Sequence, residues 1–370
     1  MQYAVLGSTG VKVSRICLGT ATFGVAPTAL DADRVVGAAI DAGINFVDTA
    51  DVYGNMPVFD RPGAPAAAER EPAEQILGRA LRGRRDELVI ATKSNGIVGH
   101  NVNDRGLSRR HVIRQVETSL RRLATDYIDL YYAHDPDPDT PLEQTLAAYD
   151  DLIRQGKIRY VGLSNHPAWQ VTHALWIADD RRLHAPVAAQ VKYNLIDRTA
   201  ERELGPASER FGLSVVPYAP LHGGLLADLA VLDREVSGDQ RFGAAGFSDA
   251  EIGVAREVDR LARTWGLAPY QVSLAWLLSR PTVASVIVGA ETVDELLGNA
   301  TAADVQLDAA QLDALTALSA EPAAFRHRAG DGPERPPTSA GSVAADRATS
   351  ATTREGTTPC LEPTGPPSTS

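Results

Sequence analysis

Asp48 and Tyr53 stand five positions apart in Ile44-Asn45-Phe46-Val47-Asp48-Thr49-Ala50-Asp51-Val52-Tyr53-Gly54, a stretch that starts apolar and turns polar. A short buried strand followed by a loop reads this way, with Asp48 at the strand's C-terminal end and Tyr53 reaching back over it. Alone, the two make an ordinary hydrogen-bonded pair. Lys93, His134, Ser164-Asn165, Gln190 and Tyr218 sit at or near the ends of five further apolar runs. The chain has four lysines (Lys12, Lys93, Lys157, Lys192) among 36 basic residues, so it habitually uses Arg for positive charge. A lysine at a strand end suggests a compact ammonium of adjustable pKa, which a guanidinium cannot supply. The plainer alternative is an ion pair with Asp48 that only stabilises the site. A free phenol titrates near ~10. A nearby ammonium favours its phenolate, and a neighbouring imidazole can share its hydrogen bond. Lys93 and His134 would thus make Tyr53 a workable general acid, with Asp48 holding Lys93 charged. Such a group hands a proton to an oxygen, and a hydride must come from elsewhere.

The elements that position these residues alternate regularly. Residues 3–14 read as a hairpin around Gly7-Ser8-Thr9-Gly10. Strands follow at 16–19, within 44–48, and at 88–93, 128–134, 159–164, 187–191, 214–218 and 284–288. Helices are expected from an Asp31 cap to Asp41, near 74–81, from a Ser108 cap to Leu123, at 141–155, and near 167–177, 199–210 and 248–279. Eight short apolar strands separated by helices imply parallel strands joined by right-handed crossovers, and eight closes into a (β/α)8 TIM barrel of the α/β class. A doubly wound sheet is the rival, but Gly19-Thr20-Ala21-Thr22-Phe23-Gly24 is not its GxGxxG fingerprint. In a barrel the strand C-termini share one face, so the polar residues converge. Two long loops on that face, 55–70 and 221–246, would shape a pocket, the first being equally readable as a tolerated surface insertion. Trp169 reads as a pocket wall or as helix packing. The barrel is expected over residues 1–320 and a disordered low-complexity tail over 321–370.

A net charge of −11 argues against a nucleic-acid or membrane-surface role. No apolar run is long enough to span a bilayer, no signal peptide is visible, and Cys17 and Cys360 lie too far apart in character to suggest a disulfide. These features point to the cytoplasm. A metal site built on Asp48 and His134 is disfavoured, because the other strand ends offer no further carboxylate or histidine and Lys93 would repel a cation.

Over residues 1–320 the chain resembles the aldo-keto reductase family. The resemblance is carried by Asp41 to Gly54, Ala91-Thr92-Lys93, Ile128-Asp129-Leu130-Tyr131 through His134-Asp135-Pro136-Asp137-Pro138, Gly156 to Asn165, and Val216-Pro217-Tyr218-Ala219-Pro220-Leu221. It implies Asp48, Tyr53, Lys93 and His134 as a catalytic tetrad, with His134 fitting carbonyl reduction. It implies that Ser164, Asn165 and Gln190 hold a nicotinamide carboxamide and that Tyr218 stacks on the ring. Pro220, Leu221, Gly289, Thr292 and Asn299 would complete the cofactor site. The implied activity is reduction of a small-molecule carbonyl (aldehyde, ketone or keto-sugar) with NAD(P)H, and no metal is implied. A non-catalytic cofactor-binding regulatory subunit on the same fold is the alternative, and oligomeric state is left open.

One segment departs from the family. Where a basic site for the 2′-phosphate of NADP(H) is expected, Gly289-Ala290-Glu291-Thr292-Val293-Asp294-Glu295 carries only acids. Thr292 and Glu295 read as a capping box, so the helix start satisfies itself with its own carboxylates where an anion would otherwise dock. Weaker NADPH selectivity and use of NAD(H) follow, unless an arginine from elsewhere, such as Arg241, reaches the phosphate. Ala227-Asp228 in the loop after the seventh strand also departs, where relatives often show Thr-Gly-Lys.

Overall fold

The structure, a computed structural model, describes residues 1–61, 63–233 and 246–319. The expected tail 321–370 and Arg241 lie outside the described residues. The hairpin forms from β1 (Tyr3–Val5) and β2 (Lys12–Ser14), paired antiparallel. Eight strands follow: β3 (Ile16–Gly19), β4 (Phe46–Asp48), β5 (Val89–Ser94), β6 (Ile128–Ala133), β7 (Ile158–Ser164), β8 (Ala188–Lys192), β9 (Ser214–Tyr218) and β10 (Val286–Gly289). They pair in parallel in the order β10-β3-β4-β5-β6-β7-β8-β9. The ring closes through a parallel bridge between Val215 and Val283. Ala284 N donates to Val215 O, whereas pairing with β3 begins at Val286 beside Ile16. The last strand therefore starts two residues later than its apolar run suggests.

Among the described residues ten α-helices surround the strands: α1 (Ala32–Asp41), α2 (Ala73–Ala80), α3 (Arg109–Leu123), α4 (Leu142–Arg154), α5 (Ala168–Arg181), α6 (Leu204–Phe211), α7 (Asp249–Thr264), α8 (Pro269–Leu278), α9 (Val293–Thr301) and α10 (Ala309–Ala317). Strands covered on both faces need no strict polar alternation, which is why most of their residues are apolar, with Asp129 and Arg159 near the starts of β6 and β7. Ser108 caps α3 as expected, its hydroxyl accepting from His111 N. Asp31 does not cap α1 through its side chain; its carboxylate takes the Thr28 hydroxyl at 2.8 Å instead. The single helical pattern read over 248–279 is two helices. Gly266 at φ +69° ends the first, and Pro269 fits the first turn of the second, where its missing N–H costs nothing.

Inside the barrel, Phe46, Ala91, Leu130, Tyr132, Ala188, Val216 and Ile287 pack with Leu6 and Val13 of the hairpin. The hairpin thus plugs the end where the strands begin, helped by a 2.7 Å bond from Gly7 N to Ser214 Oγ. Tyr132 fills the bore because residue 162 is glycine; a Cβ there would lie 2.3 Å from the tyrosine ring. With one end plugged, the open rim is the one formed by strand C-termini. Among the described residues no helix is long and apolar enough to cross a membrane.

Candidate active site

All the polar residues expected at the rim are on it. Asp48 ends β4 and lies beside Ala91 of β5, so Lys93, two residues further along the same inward face, rises directly over it. Lys93 Nζ donates to Asp48 Oδ1 at 2.5 Å, to Thr49 O at 2.9 Å and to the Tyr53 hydroxyl at 3.3 Å. The loop after β4 keeps hydrogen-bonding to β5: Thr49 N donates to Ala91 O and Asp51 N to Lys93 O. This splice carries Tyr53 back over the lysine. Gly54 at φ +89° makes the exit, where a Cβ would come within 2.5 Å of Glu71 O. The outer face of β5 is fixed too. Fully buried Glu74 accepts from Thr92 Oγ1 at 2.7 Å and from Arg122 at 3.2 Å, and Arg122 also holds Asp51 O.

The electrostatics follow from burial. The Lys93 side chain is 0 % exposed and that of Asp48 3 %. Burial alone would lower the lysine pKa, but Asp48 and Tyr53 outweigh it and hold the ammonium above its ordinary value. Burial pushes the Asp48 carboxyl up, opposed by Lys93 and by the Gln190 amide. Lys93 and Gln190, each donating to one of its oxygens, favour the ionised form. Burial also raises the Tyr53 phenol, and Lys93 pulls it back only in part. This corrects the expected direction: the phenol titrates above its usual value, so it is a fully loaded acid at neutral pH. The His134 imidazole is driven down to about 3, first by burial and then by Lys93. It is neutral, and it meets Tyr53 edge-on, with ring centroids 5.7 Å apart, in place of the expected shared hydrogen bond.

The residues assigned to the carboxamide divide. Gln190 Nε2 donates to Asp48 Oδ2 at 2.8 Å, so its amide N–H is engaged in holding the ion pair. Asn165, at φ +60°, donates to His134 O and Asp135 Oδ1 and accepts the Tyr218 hydroxyl at 2.9 Å. Ser164 Oγ is buried with no partner among the described residues. That hydroxyl, beside Asn165 and facing the same rim as Tyr218, fits a carboxamide, which offers both a donor and an acceptor. Pro220 is buried and Leu221 half-buried, directly after β9, while exposed Gly289 ends β10. Thr292 Oγ1 accepts from Glu295 N at 3.2 Å, but the reciprocal half of the capping box is absent. The Glu295 carboxylate reaches one residue further back, to Glu291 N at 2.9 Å. Asn299 is buried on α9. Trp169 is 63 % exposed and so is not buried in helix packing.

Three features went unread in the sequence. Asp135, next to His134, takes the Asn165 amide, and the cleft beside it, about 480 Å³, is lined by Asn95, Arg105 and Asp137 among others. Arg70 organises the 55–70 loop from within. Arg61 of that loop pairs with Glu291 at 2.8 Å, supplying a positive charge that the α9 start lacks in its own sequence. Asp135 lies inside a motif that pointed to the site, whereas an arginine that pairs across two loops leaves no local signal. No group of three or more His, Cys, Asp or Glu side chains placed to hold a metal occurs among the described residues.

The sequence model of the Aldo/keto reductase family matches residues 15–320. The chain is 37 % identical over 315 residues to "Uncharacterized oxidoreductase YrpG" of Bacillus subtilis, covering 83 % of this chain and 93 % of that protein. It is 33 % identical over 318 residues to "Probable voltage-gated potassium channel subunit beta" of Oryza sativa, covering 82 % and 92 %. It is 31 % identical over 313 residues to "Aldo-keto reductase YhdN" of Bacillus subtilis, covering 80 % and 87 %. With the tetrad residues gathered at one barrel rim and a family match spanning the barrel, this chain belongs to the aldo/keto reductase family.

Proposed function

We propose that the protein reduces an aldehyde or ketone to an alcohol with a nicotinamide cofactor, Tyr53 giving the proton to the carbonyl oxygen. The observation that carries this reading is the Asp48–Lys93–Tyr53 chain of contacts, which supports a buried phenol with an ammonium behind it. Ser164, Asn165 and Tyr218 would hold the nicotinamide end, and the α9 start would meet the adenosine end. When bound, the cofactor supplies the hydride; the remaining work falls to the protein.

A carbonyl oxygen gaining negative charge takes its proton from the nearest loaded acid, the Tyr53 hydroxyl. The phenolate left behind faces Lys93 Nζ at 3.3 Å, a contact worth roughly 5 kcal/mol at an effective dielectric of about 20. That attraction exists only once the proton has left, so it favours the transition state over the ground state. Asp48 and Gln190 keep the ammonium aimed and charged. Neutral His134 flanks the phenol without competing for its proton. The intact tetrad favours catalysis, while the channel-subunit names among the relatives favour a cofactor-binding regulatory role as the second reading.

Because Glu291, Asp294 and Glu295 crowd the adenosine end, both NADPH and NADH are accepted. Steady-state kinetics on a panel of aldehydes, ketones and keto-sugars with each cofactor test this. Turnover with a kcat/KM ratio below about a hundredfold is expected. A larger preference for NADPH refutes the cofactor part, and no turnover of any carbonyl refutes the activity.

A further inference from the structure

The loop after β4 and the start of α9 are distant in sequence, yet one ion pair joins them: Arg61 Nη2 donates to Glu291 Oε1 at 2.8 Å. The two side chains are 22 % and 27 % exposed, so water reaches the pair without fully solvating it. The loop behind Arg61 is not a loose insertion. Arg70, its side chain 1 % exposed, donates to the carbonyls of Gly54, Met56 and Pro65 and to the Asp60 carboxylate over 2.6–2.9 Å. Asn55 ties the carbonyls of Ala67 and Arg70 to the same knot. Arg61 directly follows Asp60, so its guanidinium extends from a fixed base. The surface it reaches is acidic: Glu291 is followed by Asp294 and Glu295 in the first turn of α9.

We propose that Arg61 is a cofactor-specificity residue, contacting the phosphate on the 2′-oxygen of the cofactor's adenosine ribose in competition with Glu291. The inference rests on the nicotinamide-cofactor reading above and deepens it. A guanidinium grips phosphate oxygens through parallel N–H groups, whereas a ribose hydroxyl needs no cation. With Glu291 present, a 2′-phosphate must take Arg61 away from a carboxylate and then sit beside that carboxylate. The unphosphorylated ribose meets neither obstacle. The same two side chains thus lower the affinity for NADPH toward that for NADH, and Arg61 keeps it from falling further. Specificity is set jointly by a loop on one side of the rim and a helix start on the other.

Direct binding of NADPH and NADH, followed by calorimetry on the full chain, tests the assignment without reference to turnover. Glu291→Gln is expected to tighten NADPH about tenfold and to change NADH by less than about twofold. Arg61→Ala is expected to loosen NADPH by a similar factor, with Arg61→Lys intermediate because it keeps the charge and loses the fork. The decisive variant is Arg61→Ala with Glu291→Gln, in which the gain from Glu291→Gln should disappear. A gain that persists without Arg61 overturns the proposal, since Glu291 would then act by repulsion alone. An unchanged NADPH affinity in Arg61→Ala overturns it equally. If the unaltered protein binds neither cofactor, the cofactor reading falls and the assignment with it, an outcome distinct from binding that ignores Arg61.

Discussion

Changing Asp48 to Asn removes the charge that justifies a buried lysine, and the consequence can be worked out from the geometry. Lys93 would keep Thr49 O and the Tyr53 hydroxyl as neutral partners, with its side chain still 0 % exposed. Breaking a buried pair by removing one partner costs about 3–5 kcal/mol, because the survivor is an uncompensated charge. The pH dependence should change sign as well. In the unaltered protein Lys93 is held above its ordinary pKa, so its contribution is complete below the unfolded value near ~10.4 and is lost only as pH rises through the folded value. Without Asp48, burial dominates and pushes the lysine below ~10.4. The unfolded chain then binds more protons in the window between the two values, so stability rises with pH there. Replacing Lys93 by Met in the Asp48→Asn background removes the stranded charge and should recover most of the loss. Thermal melts of the unaltered protein and the two variants from neutral to alkaline pH read all of this. The reasoning is refuted if Asp48→Asn lies within about 1 kcal/mol of the unaltered protein and shows no rise with pH.

Other consequences are more local. Because His134 is held near 3 by burial and Lys93, kcat/KM for carbonyl reduction should be level across the range where a free histidine titrates; a limb near the ordinary ~6.5 would contradict the neutral assignment. The alkaline limb should fall above the ordinary phenol value, since burial raises Tyr53 and the acid is lost only when it deprotonates. Ser164→Ala should loosen NADH and NADPH alike by about three- to tenfold while leaving the melting temperature in place, as its hydroxyl has no partner among the described residues. Unchanged cofactor affinity would remove Ser164 from the site.

The barrel was legible in the sequence because parallel strands covered on both faces are mostly apolar, as Val89-Ile90-Ala91, Leu130-Tyr131-Tyr132-Ala133 and Val215-Val216 show, with polar residues gathered toward the strand ends. The place of Lys93 beside Asp48 and Tyr53 was legible for a related reason: a lysine in an arginine-rich chain, at a strand end, stands out. Other features depend on partners that spacing does not reveal. Gln190 could be placed on the rim, but not on the Asp48 carboxylate, because that contact crosses 142 residues of chain. The half-formed capping box at α9 turns on whether Glu295 reaches Thr292 or Glu291, a choice of one residue. Burial reversed the expected direction of the Tyr53 shift, since sequence names the charged neighbour but not the depth at which the phenol sits. Nothing in the spacing of the 55–70 loop marks Arg61 or Arg70, and only the folded loop shows Arg70 tying its carbonyls together and Arg61 reaching Glu291.

The central claim is that the Tyr53 hydroxyl protonates the substrate oxygen. The most direct measurement is single-turnover reduction of an aldehyde by Tyr53→Phe, with cofactor affinity measured on the same preparation. The predicted result is a loss of about 10²–10⁴-fold in the reduction rate with cofactor binding retained. Reduction at the unaltered rate by the phenylalanine variant would contradict it.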